Sequence, residues 1–248
     1  MQLKNIVKLL AVASLTAFSA SALADAKLGN PANGKKIFEN GKGSVPACSS
    51  CHGDKGQGND MMKTPRLSGQ VQAFIRKQLE DFATDKRTDT TMFTMNTVAK
   101  GLSPQDRADM AAFFSTNEIE PEISNLKELA DAGTPVGRAY VGKGIVSYGI
   151  PKKGVPACRS CHDYNGRGAA NVYPMIGQQK YTYLVNQLNK WRDGSRANDP
   201  LAQMRKVAQN MSDQDIQDVA AFLAKASPYS PGNEGLPHEH HYIVGSAD

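Results

Sequence analysis

The amino-acid sequence predicts an all-α protein made of two tandem copies of one small domain. The first observation is an internal repeat: residues 74–114 align without a gap with residues 183–223, in a pairing called here the repeat register. A register held this long is typical of a duplicated unit. The second observation is that apolar residues recur at helical spacing, with no convincing alternating run that would predict a strand. The third is the motif Cys-Xaa-Xaa-Cys-His, which occurs once per copy and contains all four cysteines of the chain.

Residues 1–24 have the three parts of a secretory signal peptide: two early lysines, an apolar run over residues 9–18 and the small residues Ala22-Leu23-Ala24. We expect cleavage before Asp25 and export to the periplasm. The apolar run is shorter than the roughly 20 residues that cross a bilayer, so we expect at most a peripheral association with the membrane. The net charge of +5, which includes the two lysines of the leader, is too small to predict nucleic-acid binding.

The first long helix of the repeat is predicted from its apolar face. The segment 72–82 places Phe74, Ile75, Gln78, Leu79 and Phe82 along one stripe of a helix. Residues 74–82 of this segment align with residues 183–191 of the second copy.

Each copy ends with a second predicted helix, whose first residue is indicated by a sequence signal. Ser103 precedes Asp106 by three residues, and Ser212 precedes Asp215 by the same interval. The pattern resembles a capping box with aspartate in place of the usual glutamate, so we expect both helices to begin at these serines.

The repeat sets the predicted domain limits. We predict an N-terminal domain over residues 25–124 and a C-terminal domain over residues 125–248 with an additional tail. The stretches 118–122 and 132–135 contain prolines and a glycine and predict a surface linker. The tail carries His238, His240 and His241, which could bind a metal, although a flexible tail is the favoured interpretation.

Three interpretations of the cysteine motif compete: disulfides, a thiol–disulfide redox site and covalent attachment of heme c. Only heme attachment uses the histidine, because an imidazole next to the second thioether is placed under the iron. Two of the five histidines in the chain occupy this position. We therefore predict two covalently bound hemes. The residues that hold them are Cys48, Cys51 and His52 in the first copy, and Cys158, Cys161 and His162 in the second.

Heme also answers a problem of stability. Each copy has about 100 residues with few aromatic side chains and much loop, and such units usually need a staple, a metal or a large apolar ligand. A flat apolar ligand lets the helices bury their stripes against it.

The second axial ligand of each iron is predicted from the repeat. Met95 and Met204 are the sole methionines paired with each other in the repeat register, and we predict that they complete the iron coordination opposite His52 and His162. Three other aligned pairs have a methionine in one copy and an aliphatic residue in the other, and we expect them to fill the core. They are Met92 with Leu201, Met110 with Val219, and Met211 with Leu102.

A proline follows each motif at a similar distance, Pro65 in the first copy and Pro174 in the second. Its carbonyl could accept a hydrogen bond from the motif histidine and fix the tautomer of the ring. The alternative is that each proline only stiffens a turn. The sequence leaves both interpretations open.

The order of an early Cys-Xaa-Xaa-Cys-His, a central Pro-Xaa-Leu-Xaa-Gly-like segment and a methionine before a last amphipathic helix resembles a class I cytochrome c domain. Two in tandem resemble the diheme cytochrome c4 family over nearly all of the mature chain. The resemblance implies a pseudo-twofold axis between two cytochrome c folds, each wrapped around its heme. It further implies contacts of the first helix with the last, at Gly34 and Phe38 near Phe113, and at Gly142 and Val146 near Phe222.

The resemblance implies a periplasmic carrier that shuttles electrons in a respiratory chain and has no catalysis of its own. A quinol-oxidising complex or a dehydrogenase is the expected donor, and a terminal oxidase the expected acceptor. Two alternatives remain: an electron-transfer subunit of a larger dehydrogenase complex, and a diheme oxidoreductase of the peroxidase or thiosulfate dehydrogenase type. The enzyme is disfavoured, because it needs an open or unusual iron ligand and no spare cysteine exists.

Overall fold

The protein is described from a computed structural model that covers residues 28–117, 122–169 and 173–228. The predicted signal peptide and the histidines of the tail lie outside these residues. None of the helices in the described ranges is long and apolar enough to cross a membrane.

The described residues form helices and loops, joined by isolated β-bridges rather than a sheet. The prediction of an all-α fold is confirmed. The first half contains α1 (Pro31–Asn40), α2 (Ser49–His52), α3 (Gln72–Ala83), α4 (Met95–Lys100) and α5 (Pro104–Thr116). The second half contains α6 (Leu126–Asp131), α7 (Ala139–Tyr148), α8 (Arg159–His162), α9 (Tyr181–Asp193), α10 (Gln203–Gln209) and α11 (Asp213–Leu223). Short 3₁₀ turns span Pro151–Lys153, Tyr164–Gly166 and Pro200–Ala202.

The capping boxes are present as predicted. The hydroxyl of Ser103 accepts from the backbone N–H of Asp106, whose carboxylate accepts in turn from the backbone N–H of Ser103. Ser212 and Asp215 repeat the arrangement at the start of α11. Each box satisfies two backbone donors that the first helical turn leaves without partners.

In the first half, α1 crosses α5 at a glycine. A Cβ on Gly34 would lie 2.2 Å from the carbonyl oxygen of Asp109, so only glycine permits this approach. Beside it, the ring of Phe38 lies 5.4 Å from the rings of both Phe113 and Phe114. The expected contact between first and last helices is confirmed.

The second half repeats this crossing with smaller side chains. A Cβ on Gly142 of α7 would lie 1.8 Å from the carbonyl oxygen of Asp218 and 3.0 Å from Cβ of Phe222. Val146 takes the place of the aromatic residue and is 2% exposed. The close helix approach therefore depends on the glycine and not on the aromatic ring.

The predicted surface linker is mostly exposed over residues 122–135, but it contains the short helix α6, which packs onto the second half. Leu126 and Leu129 are three residues apart on α6 and are both buried in the core of the second half. Ser124 accepts a hydrogen bond from the backbone N–H of Tyr181, and the carbonyl of Pro135 accepts one from the hydroxyl of Tyr181. A short apolar helix inside a polar stretch has packed onto the domain. The boundary between residues 124 and 125 stays a prediction.

One of the three methionine pairs assigned to the core is also placed differently. Met110 with Val219 and Met211 with Leu102 are buried, at 2–4% exposure. Met92 and Leu201 are 40% and 82% exposed. Met92 lies in the loop before α4, and Leu201 lies in the 3₁₀ turn before α10. Leu201 adopts a positive φ of 57° there.

The two halves meet through reciprocal amide contacts. The side chain of Gln70 donates to the carbonyl of Met175 and accepts from its N–H, both at 2.8 Å. The side chain of Gln179 accepts from the N–H of Arg66 at 2.7 Å and donates to its carbonyl at 3.0 Å. The two glutamines, and the two backbone segments that they contact, are equivalent positions of the two copies, so the interface has approximate twofold symmetry.

We expect Gly142→Ala to destabilise the protein by about 1–3 kcal/mol, because the added methyl group forces α7 away from α11. Gly144→Ala on the same helix is the matched control, since a Cβ there would face open space with no contacting atom within 4 Å. It should be neutral or stabilising by up to about 1 kcal/mol. Urea unfolding followed by helical circular dichroism measures both. Equal stability of the two variants would contradict the close crossing.

Candidate functional site

Each cysteine motif is held by one turn of helix. In α2 the backbone N–H of His52 donates to the carbonyl of Cys48 at 3.0 Å, and in α8 His162 donates to Cys158 at 2.9 Å. This turn directs both thiols of a motif and its imidazole to the same cavity. No disulfide joins any of the four cysteines, all of which lie within the described residues.

The surroundings of the cysteines argue against a thiol–disulfide redox site. Burial, followed by the neighbouring Cys51, raises the pKa of Cys48 to about 11 against the effect of its own backbone hydrogen bond. Cys158 behaves in the same way, with its pKa also raised to about 11. A redox-active cysteine needs a lowered pKa, so that its thiolate is populated near neutral pH.

The two motif histidines are buried and oriented by proline carbonyls. Nδ1 of His52 lies 3.1 Å from the carbonyl oxygen of Pro65, and Nδ1 of His162 lies 2.9 Å from that of Pro174. Because a carbonyl can only accept, Nδ1 carries the proton, which leaves Nε2 as the metal-binding nitrogen. The hydrogen-bond interpretation of both prolines is confirmed.

Burial also keeps the rings neutral. It lowers the pKa of both imidazoles, although the carbonyls of Pro65 and Pro174 oppose the shift and Asp89 opposes it at His52. The neutral imidazole is the form that binds a metal.

All eight predicted site residues line one continuous cavity of about 660 Å³ that extends through both halves. Its walls are mostly apolar and include Phe74, Leu79, Phe82, Leu184 and Leu188. The predicted apolar stripe of α3 therefore lines the cavity, and its Ile75 is also buried in the core cluster that joins α1 and α5. The structure brings together the set Cys48, Cys51, His52, Met95, Cys158, Cys161, His162 and Met204.

One carboxylate organises the loop that leads into α4, whose first residue is Met95. Asp89 accepts hydrogen bonds from four backbone N–H groups, including that of Met95 at 3.3 Å and that of Thr94 at 3.1 Å. Burial raises the pKa of Asp89, but these hydrogen bonds outweigh it and the net pKa is lowered. In the second half Asn198 replaces Asp89 in the repeat register, and the neighbouring Asp199 accepts from the backbone N–H and side chain of Arg205.

Four polar residues between the two halves are missing from the set predicted from the sequence. Gln78, Arg87, Gln187 and Arg196 are buried and line the cavity. The sequence contains the signal, because each glutamine and each arginine has an identical partner in the repeat register. Gln78 is predicted only as a member of the apolar stripe, although a polar side chain kept on a buried face in both copies indicates a specific partner.

These residues fit two molecules of heme c. The cavity is apolar, as a porphyrin requires, and each half supplies two thiols for covalent attachment beside a neutral imidazole. Heme also carries carboxylates, and the buried arginines provide positive charge within the same cavity.

Comparison with known proteins agrees with this fit. The profile of the cytochrome c family matches residues 31–118 and 153–227. The chain is 33% identical over 204 residues to the thiosulfate dehydrogenase electron acceptor of Stutzerimonas stutzeri, covering 81% of this chain and 89% of that protein. It is 30% identical over 185 residues to cytochrome c4 of Pseudomonas aeruginosa, covering 74% of this chain and 85% of that protein.

A similar solved structure is a thiosulfate dehydrogenase (TsdBA) from Marichromatium purpuratum, with a TM-score of 0.72 and 27% identity. The match covers 81% of this chain but only 41% of that one. Two tandem cytochrome c domains hold two covalently bound hemes c in this protein.

We expect Asp89→Ala to weaken the predicted coordination of heme iron by Met95, because each hydrogen bond to a carboxylate contributes about 1.5–3 kcal/mol. On mild warming, the protein should lose the half of the near-infrared sulfur-to-iron absorption that the heme of the first half contributes. The absorption from the second heme should stay unchanged. Asp85→Ala is the control, since Asp85 is exposed in the same loop and bonds instead to Lys100 and Asn96. Loss of equal intensity in both variants would contradict the assigned role of Asp89.

Proposed function

Since the chain belongs to the diheme cytochrome c4 family, we propose that it is a periplasmic electron carrier with two hexacoordinate, low-spin hemes and no catalysis of its own. His52 with Met95, and His162 with Met204, are the proposed axial pairs. The observation that carries the proposal is the duplication of the whole site: both halves present two thiols, a carbonyl-bound imidazole and one register-matched methionine to a shared cavity.

Each heme supplies one-electron chemistry between Fe(III) and Fe(II). The protein groups keep the ligands in place in both states: a proline carbonyl holds each imidazole ring, and the loops before α4 and α10 hold the methionines. Little movement on electron transfer favours a carrier. Thioether ligation also favours Fe(II), and therefore a high potential for each heme.

An oxidoreductase is the weaker candidate. Such an enzyme needs an open, labile or unusual ligand on one iron, and the paired methionines leave neither half without a candidate sulfur ligand. Every cysteine of the chain belongs to a heme-attachment motif, so no cysteine is available as an axial ligand. Carbon monoxide should not bind the reduced protein at neutral pH.

The proposed electron donor is a thiosulfate-oxidising dehydrogenase. This is supported by the relative from S. stutzeri, whose name describes an electron acceptor of that enzyme. The match to less than half of the TsdBA chain further supports the alternative that the protein acts as the electron-transfer subunit of a larger dehydrogenase complex. A terminal oxidase remains the proposed acceptor.

Replacing Met95 or Met204 with alanine should abolish the near-infrared sulfur-to-iron band at one heme only and lower the potential of that heme. Met92→Ala is the matched control, because Met92 lies three residues before Met95 and is 40% exposed. Visible and near-infrared spectra during a redox titration measure both effects. An unaltered band in Met95→Ala or Met204→Ala would show that another sulfur is the ligand.

The donor is tested by stopped-flow spectroscopy of the oxidised diheme protein with a purified thiosulfate dehydrogenase. Addition of thiosulfate should reduce both hemes, and omission of either the enzyme or thiosulfate should leave them oxidised. If a quinol-oxidising complex reduces the protein under conditions in which the dehydrogenase does not, the proposed donor is wrong while the carrier function stands.

A further inference from the structure

Two arginines lie side by side where the halves meet. Arg87 and Arg196 are partners in the repeat register, and they are 7% and 6% exposed. Each guanidinium stacks on an aromatic ring at an equivalent position: Arg87 lies 4.5 Å from the ring centroid of Phe82, and Arg196 lies 4.1 Å from that of Trp191. Both arginines line the cavity that holds the heme-attachment motifs.

Two glutamines join these arginines across the interface. Oε1 of Gln78 accepts from Arg87 at 2.7 Å and from Arg196 at 2.9 Å. Oε1 of Gln187 accepts from both guanidiniums at 2.8 Å. Each glutamine oxygen therefore contacts one arginine of its own half and one of the other half, which makes the four side chains a single hydrogen-bonded unit.

The positive charge of this unit is not neutralised by the protein. Among the described residues, no carboxylate lies within ion-pair distance of Arg87 or Arg196. Asp199 acts on Arg196 from farther away and is itself paired with Arg205 at 2.8 Å. Burial, and then repulsion by Arg87, lowers the pKa of Arg196 to about 9.

The same positive charge affects the pKa of a neighbouring tyrosine. The hydroxyl of Tyr183 accepts a hydrogen bond from Arg87 at 3.3 Å. Burial raises the pKa of Tyr183, but the two guanidiniums outweigh it, and the net pKa is lowered. Two buried like charges that share neutral acceptors are unfavourable unless an anion joins them.

We propose that Arg87, Arg196, Gln78 and Gln187 form one cationic bridge that receives carboxylate side chains of both hemes, so that each heme potential depends on both arginines. The inference rests on the two hemes of the proposed function but not on the choice of axial methionines. Reduction adds one electron to an iron and therefore lowers the charge of its site. A nearby cation favours the reduced state, and the low dielectric of the interface strengthens the effect.

The shared hydrogen bonds distinguish this proposal from two independent sites. If each arginine served only the heme of its own half, a change in one half would shift one potential. Because every glutamine oxygen of the bridge contacts both arginines, a charge placed at either glutamine should act on both hemes.

The test is an isosteric charge change, Gln187→Glu and separately Gln78→Glu, in the full diheme protein. A carboxylate at either position neutralises part of the bridge, so both midpoint potentials should fall. A redox titration followed by the paramagnetically shifted NMR signals of each heme measures the two potentials separately. Gln209→Glu is the control with the same charge change on an exposed position of α10, and it should leave both potentials near their original values.

A shift confined to the heme of the substituted half, or no shift in either heme, would overturn the proposal. Arg87→Gln is the second variant, which removes one charge and should also lower both potentials. Should that variant fail to fold, the glutamate variants alone decide. Unchanged potentials beside an intact near-infrared band would reject the bridge and leave the carrier function standing, whereas a parent protein without that band would reject the proposed ligands instead.

Discussion

The constraint on which the structure depends is a cavity that neither half can fill with its own side chains. The stripe of α3, Met95 and Met204 line this space, and the buried hydrophobic residues of the described chain form one cluster in each half. Small domains with thin cores need an added staple. Here the staple is covalently bound heme, one in each half.

Within each half, the helix crossing and the contacts of the motif histidine have different structural roles. Gly34 and Gly142 bring the first and last helices within backbone contact on one side of the cavity. Elsewhere in each half, the carbonyls of Pro65 and Pro174 accept hydrogen bonds from the imidazoles. Close helix crossings and oriented imidazoles restrict movement around the proposed iron ligands, as an electron carrier requires.

The polar contacts at the interface between the halves follow from the duplication of the domain. When two copies meet about an approximate twofold axis, a residue near the axis faces its own counterpart, and like charges are brought together. Gln70 and Gln179 use this geometry to exchange backbone hydrogen bonds. Arg87 and Arg196 repel each other, and the aromatic rings and shared glutamine oxygens around them offset only part of that repulsion. The departures from symmetry, such as Asn198 in place of Asp89, are where the two hemes acquire different surroundings.

The sequence alone was sufficient for the repeat, the helical class, the capping boxes and the heme-attachment motifs, because each depends on residues close together in the chain or on a direct match between the copies. It was also sufficient for the glycine crossings, through the resemblance to a family. Only the tertiary structure showed that Leu126 and Leu129 belong to a core, that Met92 and Leu201 face outward, and that Gln78 is a polar contact. Each of these features depends on which residue from a distant part of the chain packs against the one in question. The spacing of residues along the chain does not identify that neighbour.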